Sequence, residues 1–190
     1  MEQSCKSIKI IIIGNSASGK TTLSNIIQKK INIDFCLFHL DNFFWKDKCL
    51  KKRNKSIYIV EKLLLESINC ENWIIEGVYS NIMYFFIKKA NILIWLDTEQ
   101  SICISRIQNR IHLIKDKTQC DPKHLLKRYQ KMLETSKKYY NSTGNKSKFM
   151  HQKLFKNFNH KKFLVQNNSD YYNIIDYLDK FNVNKPLEDE

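Results

Sequence analysis

Apolar residues return in two rhythms along the 190-residue chain. Runs of consecutive apolar positions suit strands buried on both faces, whereas apolar positions three and four apart suit helices with one buried face. The first rhythm marks strands at Ile8–Ile13, Cys36–Leu40, Trp73–Ile75, Asn91–Leu96 and Phe163–Val165. The second predicts helices over Lys20–Ile31, Ile57–Asn69, Thr98–Ile114 and Asp170–Lys180, with a shorter mixed one over Tyr79–Lys89. Asp121 and Pro122 open a further helix that runs to about Tyr140, with Asp as cap and Pro in the first turn. The basic, aromatic stretch from Phe43 to Ser56 reads as a loop or short helix, and the acidic tail Leu187–Glu190 as frayed.

Strands alternating with helices imply an α/β domain: a five-stranded parallel sheet with helices on both faces, a three-layer sandwich. Ligands of such sheets bind beyond the carboxyl ends of the strands. The residues expected there are Gly14 and those after it, Asp41, Glu76 and Asp97.

The first of these strand ends carries the strongest signal. Gly14, Asn15, Ser16, Ala17, Ser18, Gly19, Lys20 and Thr21 fit the phosphate-loop pattern G-x-x-x-x-G-K-[ST] at every fixed position, and Thr22 continues into the predicted helix. A strand before and a helix after aim backbone N–H groups and a helix N-terminus at one anion. Lys20 can reach the outer phosphates of a nucleotide, and the Thr21 hydroxyl can hold magnesium.

The other strand ends supply carboxylates. Asp41 can accept a proton from an acceptor hydroxyl or hold magnesium through water. Phe43, Phe44 and Trp45 follow it, either to stack on a flat substrate or to cover the sheet edge. Glu76 ends the third strand where a magnesium-ordering acid belongs, and Gly77 lets a ligand approach the backbone. Asp97 reads as a cap of the next helix. Arg106 and Arg110 stand four apart on one helical face, suited to clamp the charge of a moving phosphoryl group. The five histidines show no ligand or triad spacing and receive no catalytic role.

Composition changes the picture in three places. The net charge of +13 fits either a nucleic-acid surface or a lysine excess, and the excess is favoured because only Arg53, Arg106, Arg110 and Arg128 are arginines among 32 basic residues. The six cysteines form no C-x-x-C pair, so free, mostly buried thiols are expected and a structural zinc is not. Apolar runs fall short of the roughly 20 residues that span a bilayer, and a cytoplasmic location is expected. A GTPase is disfavoured, because Asn54-Lys55 continues as Ser56-Ile57 rather than as a base-reading motif.

Gly14–Thr22, His39-Leu40-Asp41 with Phe44-Trp45, Trp73–Gly77, Asn91–Asp97 and the Arg106/Arg110 pair together resemble the adenylate-kinase-like P-loop kinases, and among them the bacterial DNA topology modulation (FlaR-like) proteins. The Asp41 and Trp73–Gly77 segments also look like those of uridine kinase and nicotinamide riboside kinase. The resemblance covers about residues 8–110. It implies a P-loop NTPase fold over residues 1–183 with a small helical lid at about 106–145, an acceptor-side aspartate, and a strand-end acid near magnesium. It departs in the lid, where His112-Leu113-Ile114-Lys115-Asp116-Lys117 puts lysine in place of arginine, a poorer bidentate clamp. The expected function is transfer of the γ-phosphoryl of ATP, with magnesium, to a hydroxyl of a nucleoside-like or other small acceptor, by a monomer or homodimer. The alternative is a nucleotide-regulated nucleic-acid-binding protein without kinase turnover.

Overall fold

The computed structural model describes residues 7–44, 54–116, 122–167 and 169–181. Five parallel strands form one sheet: β1 (Lys9–Gly14), β2 (Cys36–His39), β3 (Trp73–Gly77), β4 (Ile92–Leu96) and β5 (Lys161–Val165). Their order is β2-β3-β1-β4-β5, so β1 is central and pairs with β3 and β4. The sequence expectation of a five-stranded parallel α/β sandwich holds.

Alternation across this sheet explains the apolar run in β1. Ile11 and Ile13 enter one core with helices α2 (Leu40–Phe44), α3 (Ser56–Ile68), α4 (Ser80–Phe86) and α7 (Lys148–Asn157). Ile10 and Ile12 enter the other, with α1 (Lys20–Lys30) and α8 (Ser169–Asp179). All four isoleucines are fully buried, as a strand covered on both faces requires. Two further helices, α5 (Gln100–His112) and α6 (Pro122–Lys138), pack on each other, and a 3₁₀ turn over Leu113–Asp116 follows α5.

Several local expectations change. The second strand ends at His39, and Asp41 falls in the first turn of α2, where the helix dipole favours an acid. Helix α7 is an addition; Ser147 caps it by accepting a bond from the Met150 amide. Phe44 is buried and stacks on Tyr79 at 3.8 Å, while Phe43 tilts against Phe38, so these rings cover the sheet rather than line an acceptor pocket. Trp45, Asp121 and the tail 184–190 lie outside the described residues.

The expectation of free thiols fails at Cys36 and Cys70, which form a disulfide with Cα atoms 6.1 Å apart. The Cys36 amide bonds to the Asn72 carbonyl, so the sheet brings together residues that local spacing does not connect. Cys103 is free and buried; Cys5, Cys49 and Cys120 lie outside the described residues. No helix among the described residues is long and apolar enough to cross a membrane.

Candidate active site

The glycine loop turns from β1 into α1 at the carboxyl edge of the sheet. Gly19 precedes the helix at φ 108°, a left-handed conformation that glycine adopts without strain. Side chains tie back the loop carbonyls. The buried Lys20 ammonium donates to Asn15 O at 2.7 Å and Gly14 O at 3.2 Å. Arg106 donates to Ala17 O at 3.1 Å, and the Thr98 hydroxyl to Ser18 O at 3.0 Å. No side chain caps α1 and no acid sits in its first turn, which leaves the helix N-terminus suited to an anion. Burial lowers the Lys20 pKa, an unfavourable state for an ammonium that bound phosphate would relieve.

Strand register sets the acids beside this loop. In the parallel ladder Glu76 stands level with Ile12 of β1 on one side and His39 of β2 on the other. Its Oε1 accepts from the Thr21 hydroxyl at 2.8 Å and from His39 Nδ1 at 3.0 Å. Burial opposes its charge, but the His39 bond, the Lys20 ammonium and the Thr21 hydroxyl outweigh burial and hold its carboxyl below the ordinary range. Gly77 follows because the Leu40 side chain of α2 lies close: a Cβ there would sit 2.7 Å from Leu40 Cδ1.

One cavity is lined by Ser16, Lys20, Thr21, Asp41, Glu76 and Arg110, with Val78 and Met132 as apolar walls. Arg106 reaches the loop and Arg110 the cavity, so the two arginines of α5 face the same centre. Thus the loop residues, Asp41, Glu76 and the two arginines lie in the loop, line this cavity or bond to the loop, whereas Phe43, Phe44 and Asp97 do not line it. Asp97 does not cap α5, whose N-cap is Glu99; it pairs with Lys148 of α7 at 2.8 Å. His39 is the residue that sequence reasoning passed over. Its signal was its place two residues before Asp41 at a strand end, which becomes informative once β2 is registered against β3.

A second buried polar chain supports the site from below. Trp95 Nε1 donates to Tyr139 Oη at 3.3 Å, Tyr139 Oη meets His151 Nδ1 at 2.8 Å, and His151 Nε2 meets Val78 O at 3.2 Å. The Val78 carbonyl can only accept, so His151 carries a hydrogen on Nε2, and a neutral ring then accepts the Tyr139 hydroxyl at Nδ1. Burial accordingly pushes the His151 pKa down to about 3 and the Tyr139 hydroxyl up.

A family model described as AAA domain matches residues 10–124, more than half of the chain. The chain belongs to this AAA-domain family. Three solved structures are similar across nearly its whole length. A candidate kinase from Chloroflexus aurantiacus J-10-fl is 17% identical, with 93% of this chain and 98% of that chain covered and a TM-score of 0.52. Deoxyadenosine kinase from M. mycoides, solved with dCMP and dCDP, is 20% identical, with 91% and 100% covered and a TM-score of 0.50. An uncharacterized protein from Eubacterium ventriosum is 18% identical, with 90% and 98% covered and a TM-score of 0.50. These likenesses show that the chain has an α/β P-loop NTPase-like fold. No curated protein sequence matches the chain.

Proposed function

We propose that this AAA-domain protein is an ATP-dependent kinase that phosphorylates a hydroxyl of a small, nucleoside-like acceptor. The observation that carries the reading is a single cavity where the phosphate loop, the Glu76 carboxylate of β3, the Asp41 carboxylate of α2 and Arg110 converge. Lys20 and the open N-terminus of α1 hold the phosphate tail. Asp41, exposed at the start of α2, accepts the proton of the acceptor hydroxyl. Arg106 and Arg110 stabilise the charge of the transferred group, and closure of the lid formed by α5, the 3₁₀ turn and α6 excludes water.

The donors in the cavity fit magnesium, a hard cation that prefers oxygen and keeps several waters. The Thr21 hydroxyl spends its hydrogen on Glu76, so it offers lone pairs, and Asp41 and Glu76 add carboxylate oxygens. Bound with the nucleotide, magnesium supplies neutralisation of phosphate charge. A nucleoside-like acceptor is favoured by the resemblance of the Asp41 and Trp73–Gly77 segments to nucleoside kinases and by the deoxyadenosine kinase among the similar folds. The FlaR-like motifs are consistent with the same reading. We take residues 1–183 as one catalytic unit.

A screen of nucleosides and other small hydroxyl compounds for ATP consumption, with Lys20→Ala as control, tests this. Acceptor-dependent consumption that Lys20→Ala abolishes is expected. Tight nucleotide binding without consumption for any acceptor would overturn it, and DNA affinity that falls steeply with salt would then favour the nucleic-acid alternative.

A further inference from the structure

We infer that His39 is a positioning residue that holds the Glu76 carboxylate away from Lys20, so that the ammonium of the phosphate loop stays available to the nucleotide. The inference rests on the phosphate-binding reading of the loop given above.

Lys20 and Glu76 are both buried, carry opposite charges and line one cavity. Two such groups in a desolvated site attract strongly, and direct contact is the expected arrangement. Yet no ion pair joins them: Glu76 pairs with His39 instead. Lys20 gives its protons to Asn15 O and Gly14 O instead.

The geometry of Glu76 explains the separation. One oxygen, Oε1, takes both the Thr21 hydroxyl at 2.8 Å and His39 Nδ1 at 3.0 Å. Thr21 alone is a weak tether, because it stands on the same helix turn as Lys20 and a hydroxyl bond is worth less than one from a charged donor. His39 pulls from the opposite side. The β2–β3 ladder registers it directly against Glu76, and Leu40 packed on Gly77 fixes the chain immediately after it. The imidazole therefore cannot follow the carboxylate if it swings toward Lys20.

Without the imidazole, Glu76 keeps one hydroxyl donor and a nearby ammonium. A buried carboxylate takes the strongest donor in reach. Pairing with Lys20 would then compete with phosphate for the same ammonium.

Isothermal titration of a non-hydrolysable ATP analogue in magnesium-free buffer tests the inference, since no cation contributes there. Four proteins are compared with wild type: His39→Ala, His39→Asn, Glu76→Gln and the double variant His39→Ala/Glu76→Gln. His39→Ala is expected to weaken binding about tenfold. His39→Asn, whose amide can donate from nearly the same point, is expected to stay within about threefold of wild type. The double variant is expected to recover to within about threefold, because a neutral amide does not compete for the ammonium. Unaltered affinity in His39→Ala overturns the inference. So does a double variant as weak as the single one, which would mark His39 as merely supporting the fold. A wild-type chain that binds no nucleotide would instead overturn the phosphate-binding reading itself, and the inference with it.

Discussion

Asn15 and Ser136 lie 121 positions apart in the chain, yet the Asn15 amide donates to the Ser136 hydroxyl at 3.0 Å in a fully buried contact. The bond ties the second residue of the phosphate loop to the last turns of α6. Asn15 also folds its Oδ1 onto the Ser16 amide at 2.7 Å, so one side chain shapes the loop and anchors it to α6. Ser136→Ala leaves an amide hydrogen buried without its hydroxyl acceptor, with the Ser136 carbonyl at 3.4 Å as a poor substitute. A loss of about 1–3 kcal/mol is expected. Denaturant unfolding at constant m-value measures it, and an unshifted midpoint would show that the loop does not depend on this anchor.

Asp41 is exposed and lines the cavity, which separates its role from that of the loop. Asp41→Asn is expected to lower turnover by about 10²–10⁴-fold, the range for removal of a general base, while nucleotide affinity stays within about twofold. Single-turnover kinetics and nucleotide titration on the same preparation check both halves. Full turnover would remove Asp41 from the mechanism.

Gly77 is required by space. An added Cβ would meet three Leu40 atoms at 2.7–3.0 Å, and Leu40 is itself fully buried. Gly77→Ala is expected to cost about 1–3 kcal/mol through overpacking. Because α2 carries Asp41, the shift should also lower turnover. A thermal midpoint equal to wild type would show that α2 yields freely.

His151 predicts how stability responds to acid. Its folded pKa is about 3, against an ordinary value of 6.5. Between these values the unfolded chain binds a proton that the folded chain refuses, so stability falls as pH drops from 6.5 toward 3. Over the full window the effect is on the order of 5 kcal/mol. His151→Gln lacks this proton, and its stability should decline less steeply between pH 6.5 and 4. Denaturation midpoints across that range decide it; parallel curves for the two proteins would exclude His151 as the source.

The amino-acid sequence by itself determined the strands, most helices and the loop. Those follow from local rules: consecutive isoleucines can be buried on both faces in a covered strand, and Gly14 to Thr21 are contiguous, so their pattern is legible without the fold. The strand ends named Asp41 and Glu76 because ligands meet parallel sheets there. Helix α7 is poorly legible in the sequence although Ser147 caps it and His151 and Leu154 are buried, because lysine and asparagine dominate the surrounding stretch. Only the tertiary structure chose the partners. His39 against Glu76, Cys36 against Cys70 and Asn15 against Ser136 depend on the order β2-β3-β1-β4-β5 and on where α6 returns to the loop. Periodicity fixes which face of an element is buried; it carries no information on which element lies beside it, and these contacts are set by that adjacency.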